Sequence, residues 1–213
     1  MILTLGHTKG GVGKSTLALN IAVERLRAGV DTLLVDGDPR QTSISKAIGI
    51  RADAGTAPAV PCIVLDDAKS LRHQVNLLRT KYQDIVIDVG GKDSNALRAV
   101  LTVTDILLLP VAPESVEVWA IDDMLELVEE ARGIRDFRVL AVVNRAKPTG
   151  RDNADTIAVI REYSGIELIP GHIGNRGIFS SAFGKGQSVA EFKPPNRKAV
   201  AELAALVDSI FGA

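Results

Sequence analysis

The chain has 213 residues, 46% hydrophobic and 24% charged, with a formal net charge of −1. This suits one globular domain over 1–213 and excludes a surface that is basic throughout and follows nucleic acid along its whole extent. The single cysteine, Cys62, excludes an intramolecular disulfide and a cysteine-rich metal cluster and points to a reducing cytoplasm. Met1-Ile2-Leu3 leads straight into a polar, glycine-rich stretch, so the chain reads without a secretory leader, and no apolar run approaches the ~18 residues of a membrane span.

In chain order, the pattern predicts a strand over Ile2–Gly6, a helix over Ser15–Ala28 ending at Gly29, a strand over Thr32–Val35 and a short helix over Thr42–Ile48. The Gly/Ala/Pro-rich stretch Gly49–Pro61 reads as a surface loop. A strand over Cys62–Leu65 precedes a helix capped by Asp66 and running to about Tyr82. Strand Ile85–Val89, helix Ser94–Thr102, strand Ile106–Pro110 and the long helix Glu114–Arg132 follow. The remainder reads as strand Arg138–Asn144, helix Asp152–Tyr163, strand Ile166–Ile169 and a last helix over about Asn196–Phe211. Short strands apolar on both faces, separated by helices, predict an α/β fold: a doubly wound, mostly parallel sheet with helices on both faces.

Between the first strand and the first helix lies Lys9-Gly10-Gly11-Val12-Gly13-Lys14-Ser15-Thr16. Its glycines let the backbone turn tightly and aim N–H groups at phosphate oxygens, and the helix start adds its positive dipole end. Lys14 supplies a cation for the β/γ-phosphates of ATP, and the Ser15 hydroxyl is placed for Mg²⁺. The general P-loop pattern G-x-x-x-x-G-K-[ST] is broken at Thr8, where it has glycine, but the strand-before, helix-after context is met.

Asp36 and Asp38, in Val35-Asp36-Gly37-Asp38-Pro39-Arg40-Gln41, fall at the carboxyl end of the second strand, where a doubly wound sheet binds its ligand. Ile85-Val86-Ile87-Asp88 is an apolar strand ending in one acid, the Walker B pattern, which places Asp88 to hold Mg²⁺ directly or through water. Gly90-Gly91 then allows close approach to a γ-phosphate. Asn144 ends another strand in Val142-Val143-Asn144-Arg145 and has the character of a turn-capping residue. His7, His73 and His172 are scattered, and neither a Ser-His-Asp set nor metal-ligand spacing is present. Trp119, with Val116 and Met124 at helical spacing, reads as core or interface.

Charge is uneven. Glu114 to Glu130 carries seven acids and no base, whereas His172 to Lys198 carries Arg176, Lys185, Lys193, Arg197 and Lys198 against Glu191. The basic stretch reads either as solvated surface or as a phosphate-binding patch. A nucleic-acid contact made there through phosphates would be blind to sequence.

Lys9 is a second lysine at the start of the phosphate loop, matching the deviant K-G-G-x-x-x-[ST] pattern, and the Asp36–Gln41 segment is similar to D-x-D-P-Q with Arg40 inserted. With these features the chain resembles the ParA/MinD group of P-loop ATPases over essentially its whole length, above all the small plasmid-type ParA partition ATPases. The resemblance implies ATP and Mg²⁺ as cofactors and slow, partner-stimulated hydrolysis, with Lys9, Lys14 and Asp38 as the catalytic set. Asp38 would orient the attacking water, Asp36 would lie near the Mg²⁺ shell, and Asn144 would meet the adenine edge. Lys9, otherwise a solvated loop cation, would cross to the nucleotide of a partner subunit in an ATP-dependent sandwich homodimer. The resemblance further implies non-specific DNA binding through the basic stretch (Arg176 first, then Lys185 and Lys198), a ParB-like or other adaptor, and a cytoplasmic, nucleoid-associated location. A MinD-like membrane switch is one alternative, but it needs a basic amphipathic C-terminal helix, and Ala201–Phe211 has no Lys or Arg. A metabolic ligase of dethiobiotin-synthetase type is another, against which Lys9 and the basic cluster speak. A nitrogenase-iron-protein-like reductase fails on cysteine count.

Overall fold

Strands buried on both faces need a layer of helices over each face, and the structure, a computed structural model describing residues 1–38, 42–65, 67–90, 94–113 and 117–212, is built this way. The strands are β1 (Ile2–Leu5), β2 (Thr32–Gly37), β3 (Cys62–Val64), β4 (Asp84–Val89), β5 (Ile106–Val111), β6 (Arg138–Ala146) and β7 (Glu167–Gly174). The helices are α1 (Lys14–Arg27), α2 (Ser43–Asp53), α3 (Ala68–Leu78), α4 (Ser94–Leu101), α5 (Glu117–Arg132), α6 (Asp152–Glu162), α7 (Gly177–Phe183) and α8 (Arg197–Phe211). The strands form one seven-stranded sheet in the order β3-β2-β4-β1-β5-β6-β7, with every pairing parallel. Alternate residues serve opposite cores. Ile2, Ile85, Leu107 and Val139 pack under α3, α4, α5 and α6, while Leu3, Val86, Leu108 and Leu140 pack under α1, α2, α7 and α8.

All seven carboxyl ends share one rim because the sheet is wholly parallel. β1 lies in the middle, and the chain leaves it for β2 on one side before later crossing to β5 on the other. That reversal opens a crevice at the end of β1, where the glycine loop stands.

Several elements differ from the predicted ones. α2 runs on to Asp53, into the first part of the Gly49–Pro61 stretch expected to be a loop. Gly49 faces open space there, and Arg51 anchors the last turn. Its buried guanidinium donates to the Pro58 carbonyl, the Gly186 carbonyl at 2.8 Å and both oxygens of Glu191 at 2.8 Å. β7 is eight residues long despite Pro170 and Gly171. It is an edge strand with register shifts against β6, so a missing N–H is tolerated. The short helix α7 was not predicted, because seven residues give too little periodicity. Asp67 caps α3, accepting from the N–H groups of Lys69 and Ser70; Asp66 lies outside the described residues. So do Val116 and the side chain of Trp119, whereas Met124 is core. No helix among the described residues is long and apolar enough to cross a membrane.

Candidate functional site

Gly11 and Gly13 adopt φ of 84° and 96°, the left-handed region that favours glycine, and they turn the chain from β1 into α1. Gly13 is also held by its neighbour. A Cβ there would collide with the Asn144 amide, whose Nδ2 donates to the Val12 carbonyl at 2.6 Å. Asn144, at the end of β6, is therefore a brace for the loop.

Lys14 opens α1 and is buried, its ammonium donating to the Lys9 carbonyl at 3.3 Å. The Lys9 N–H in turn donates to His7 Nδ1 at 3.0 Å. The backbone of Lys9 is thus pinned from both sides, and its side chain is half-buried. Burial draws the Lys14 pKa below its ordinary value, against the opposing pull of Asp88 and Asp38. Burial and the charges of Lys14 and Lys9 bring the His7 imidazole down to about 4, so it is neutral and accepts at Nδ1.

Asp88 ends β4 directly across from the loop. Burial pushes its carboxyl up to about 7, against a hydrogen bond from Ser15 and the charge of Lys14. Its Oδ1 is buried without a hydrogen-bond partner among the described residues. An orphaned carboxylate oxygen beside a serine hydroxyl and an anion-binding loop is the donor set a hard divalent cation takes. Ser15 and Asp88 therefore fit Mg²⁺.

Asp36 is paired in register with Asp88 but is otherwise engaged. Its Oδ2 accepts from the Ser45 N–H at 3.0 Å and the Ser45 hydroxyl at 2.6 Å, and its Oδ1 from the Asp38 N–H at 3.3 Å. It ties α2 to the strand rim and aims the next turn. Asp38 then places its carboxylate over Gly90, where a Cβ would lie 2.9–3.1 Å from the carboxyl atoms. Pro39, Arg40, Gln41 and Gly91 lie outside the described residues.

Two clefts meet at this rim. The phosphate cleft is lined by Gly10, Gly11, Lys14, Ser15, Asp38 and Ser43, among others. Next to it, a second cleft is lined by Leu17, Asn144, Asn175, Arg176, Phe179 and Ser180, among others. A larger groove of about 600 Å³ sits at the opposite end of the sheet, between Asp105, Arg138 and Glu167. It is open ion-paired surface at the strand starts, whereas ligands of such sheets bind at the carboxyl ends.

The structure thus brings together Lys9, Gly10, Gly11, Val12, Gly13, Lys14, Ser15, Thr16, Asp36, Asp38, Asp88 and Asn144. It separates the basic residues. Arg176 precedes α7, lines the second cleft and is ion-paired with Glu202, with Nε to Oε2 at 3.2 Å. Lys185 is exposed beyond α7, with its ammonium 5.0 Å from the Phe192 ring centroid, and Lys198 is exposed on α8. Sequence reasoning missed the roles of His7 and Ser45.

The two shifted groups make opposite contributions to stability. Asp88, raised in the fold, contributes stability that is present below its unfolded value of 3.8 and lost as pH rises through about 7. His7, depressed in the fold, contributes stability that is present above its unfolded value of 6.5 and lost as pH falls through about 4. Asp88→Asn removes the first and leaves the second. The ligand-free variant should then gain thermal stability steadily as pH rises from about 4 to 6.5, while the wild type stays flatter. Thermal melts across this window check it, and superimposable profiles would contradict it.

Comparison with known proteins agrees with this geometry. The sequence model of the family described as "CobQ/CobB/MinD/ParA nucleotide binding domain" matches residues 3–189. The chain is 25% identical over 216 aligned positions to maintenance of carboxysome distribution protein A of Halothiobacillus neapolitanus, covering 98% of this chain and 95% of that one. The apo McdA structure from Cyanothece superposes with a TM-score of 0.80 at 19% identity, covering 98% of both chains. A plasmid partition protein from Borrelia burgdorferi bound to AMPPNP gives 0.78 at 18% identity, covering 99% and 98%. Structural likeness at such identities shows the fold alone. The sequence match, spanning β1 through α7 and including the loop just described, places this chain in the CobQ/CobB/MinD/ParA nucleotide-binding family.

Proposed function

We propose that the protein is an ATP-driven positioning switch. ATP with Mg²⁺ joins two copies across their phosphate loops, the dimer holds DNA without sequence preference, and an adaptor of ParB-like kind stimulates hydrolysis and releases it. The observation that carries this reading is a phosphate cleft bearing a second lysine, Lys9, whose backbone is fixed by His7 and Lys14. A relative that is similar over nearly the whole chain is named for distributing carboxysomes, which supports positioning over metabolism.

In this reading Lys14 and the loop amides hold the β/γ-phosphates, and Ser15 and Asp88 hold the Mg²⁺ that neutralises phosphate charge. Asp36 acts through Ser45 and Asp38 rather than as a metal ligand, because both its oxygens are engaged. Asp38 orients the attacking water. Asn144 braces the loop with its NH₂ and offers Oδ1 to the adenine edge. Lys185 and Lys198 supply DNA contacts, and Arg176 joins them only when it leaves Glu202. The membrane alternative is disfavoured by α8, whose Leu203, Leu206 and Ile210 are buried against the sheet and are not available to a bilayer.

Sedimentation and retention on DNA-coated beads test the switch together. The wild type should dimerise with ATP and Mg²⁺, remain monomeric with ADP, and be retained on DNA only as the dimer, with retention falling steeply as salt rises. Lys9→Ala should bind ATP yet stay monomeric and off the DNA. A stable ATP-bound dimer of that variant would remove the cross-subunit role of Lys9, and nucleotide-independent retention would remove the switch.

A further inference from the structure

Arg145 stands out at the rim of the site. It has φ of 56°, one of two positive-φ non-glycine residues among the described ones. The cause is a bulge. Asn144 pairs with Ile173 and Ala146 with Gly174, so Arg145 is the extra residue of β6 between two consecutive residues of β7. Bulges re-aim side chains, and strained non-glycine residues persist where the surrounding structure holds them in place. The Asn175 N–H donates to the Ala146 carbonyl at 2.9 Å and closes the bulge on one side. The Asn144 bond to Val12 holds it on the other.

The side chain so aimed is exposed and has no hydrogen bond or ion pair among the described residues. Of its charged neighbours here, Lys14, Asp36 and Asp88 are buried and Arg176 is ion-paired with Glu202. Arg145 lines both clefts, and among the described residues the two share only Gly13, Thr16 and Arg145. Gly13 and Thr16 flank the start of α1, where N–H groups meet phosphate. The shared point is therefore where a nucleotide passes from its phosphates to its sugar and base.

We propose that Arg145 is a nucleotide-binding residue that takes the α-phosphate at the seam of the two clefts, a position that the β6 bulge makes at the expense of backbone strain. The inference rests on the nucleotide site described above. Guanidinium groups bind phosphate through charge-assisted hydrogen bonds, and among the described residues no carboxylate is ion-paired with this one.

Arg145→Gly is the informative variant, because glycine relieves the left-handed strain while removing the cation. ATP, ADP and adenosine are titrated by calorimetry into the wild type, Arg145→Gly, Arg145→Lys and Lys14→Ala. Arg145→Gly should weaken ATP and ADP alike, by about tenfold or more, leave adenosine unchanged, and melt no lower than the wild type without ligand. Arg145→Lys should keep part of the affinity. Unchanged ATP and ADP affinity in Arg145→Gly would overturn the proposal, as would a loss confined to ATP, which places the contact at the γ-phosphate. A loss that includes adenosine also overturns it, because the contact is then to the base. If the wild type binds no ATP, or Lys14→Ala binds it equally well, the underlying site falls together with the proposal; Arg145→Gly failing alone leaves that site standing.

Discussion

Asp38→Ala is expected to keep ATP bound and to lose turnover by about 10²–10⁴-fold, the span that a positioned general base or water-orienting group contributes. Gly11, Gly13 and the Asn144–Val12 bond hold the loop from the other side. Binding should therefore survive, and loss of the carboxylate removes a negative charge near Lys14 and the phosphates. Asp36 and Gly90 both help to set the carboxylate. Asp36 accepts the Asp38 N–H, and Gly90 provides the bare backbone on which the side chain rests. Gly90→Ala should consequently lower turnover with Asp38 still present, because the added methyl displaces the carboxylate. Single-turnover hydrolysis at saturating ATP, with binding measured separately, reads both. An Asp38→Ala variant that hydrolyses ATP at the wild-type rate would move the catalytic role elsewhere.

Gly13→Ala should abolish tight nucleotide binding. The methyl meets two obstacles: a φ of 96° that side chains avoid, and the Asn144 amide. Either the loop or Asn144 must shift, and a shifted loop misdirects the N–H groups that face phosphate. Losing two charge-assisted hydrogen bonds at roughly 1.5–3 kcal/mol each lowers ATP affinity by at least about 10²-fold. The ligand-free protein should also melt lower, by roughly 4–12 °C for about 2–3 kcal/mol of strain and lost bonding. Gly29→Ala is the control. Gly29 has φ of 80° after α1 but open space around it, so the variant should lose some stability and no ATP affinity. Wild-type ATP affinity in Gly13→Ala would mean that the loop does not bind phosphate as described.

Whatever depended on near neighbours was legible in the sequence. The glycine spacing of the loop, the strand before it, the helix after it and the acid ending Ile85-Val86-Ile87-Asp88 are local patterns. Backbone sterics and side-chain periodicity act within a few residues, so sheet, loop, Lys14, Ser15 and Asp88 were readable in advance. The parallel sheet followed from strands apolar on both faces.

Contacts across the chain depended on tertiary structure. Asn144 meets Val12, 132 positions away, and Arg51 meets Glu191, 140 away. No local pattern encodes such a pair, because it exists only once the sheet order has set which strand ends are neighbours. The extension of α2 through the Gly49 region was hidden for the same reason. Intrinsic preference argued for a loop, and a buried arginine bound to distant carbonyls overrode it. Arg176 read as the first DNA-binding candidate of a basic stretch, and its pairing with Glu202 on α8 exists only in the fold. Nothing in the sequence singled out Arg145, because its bulge exists only where β7 pairs one residue short. The phosphate loop was written in eight consecutive residues, whereas what braces it was decided by how β6 lies against it.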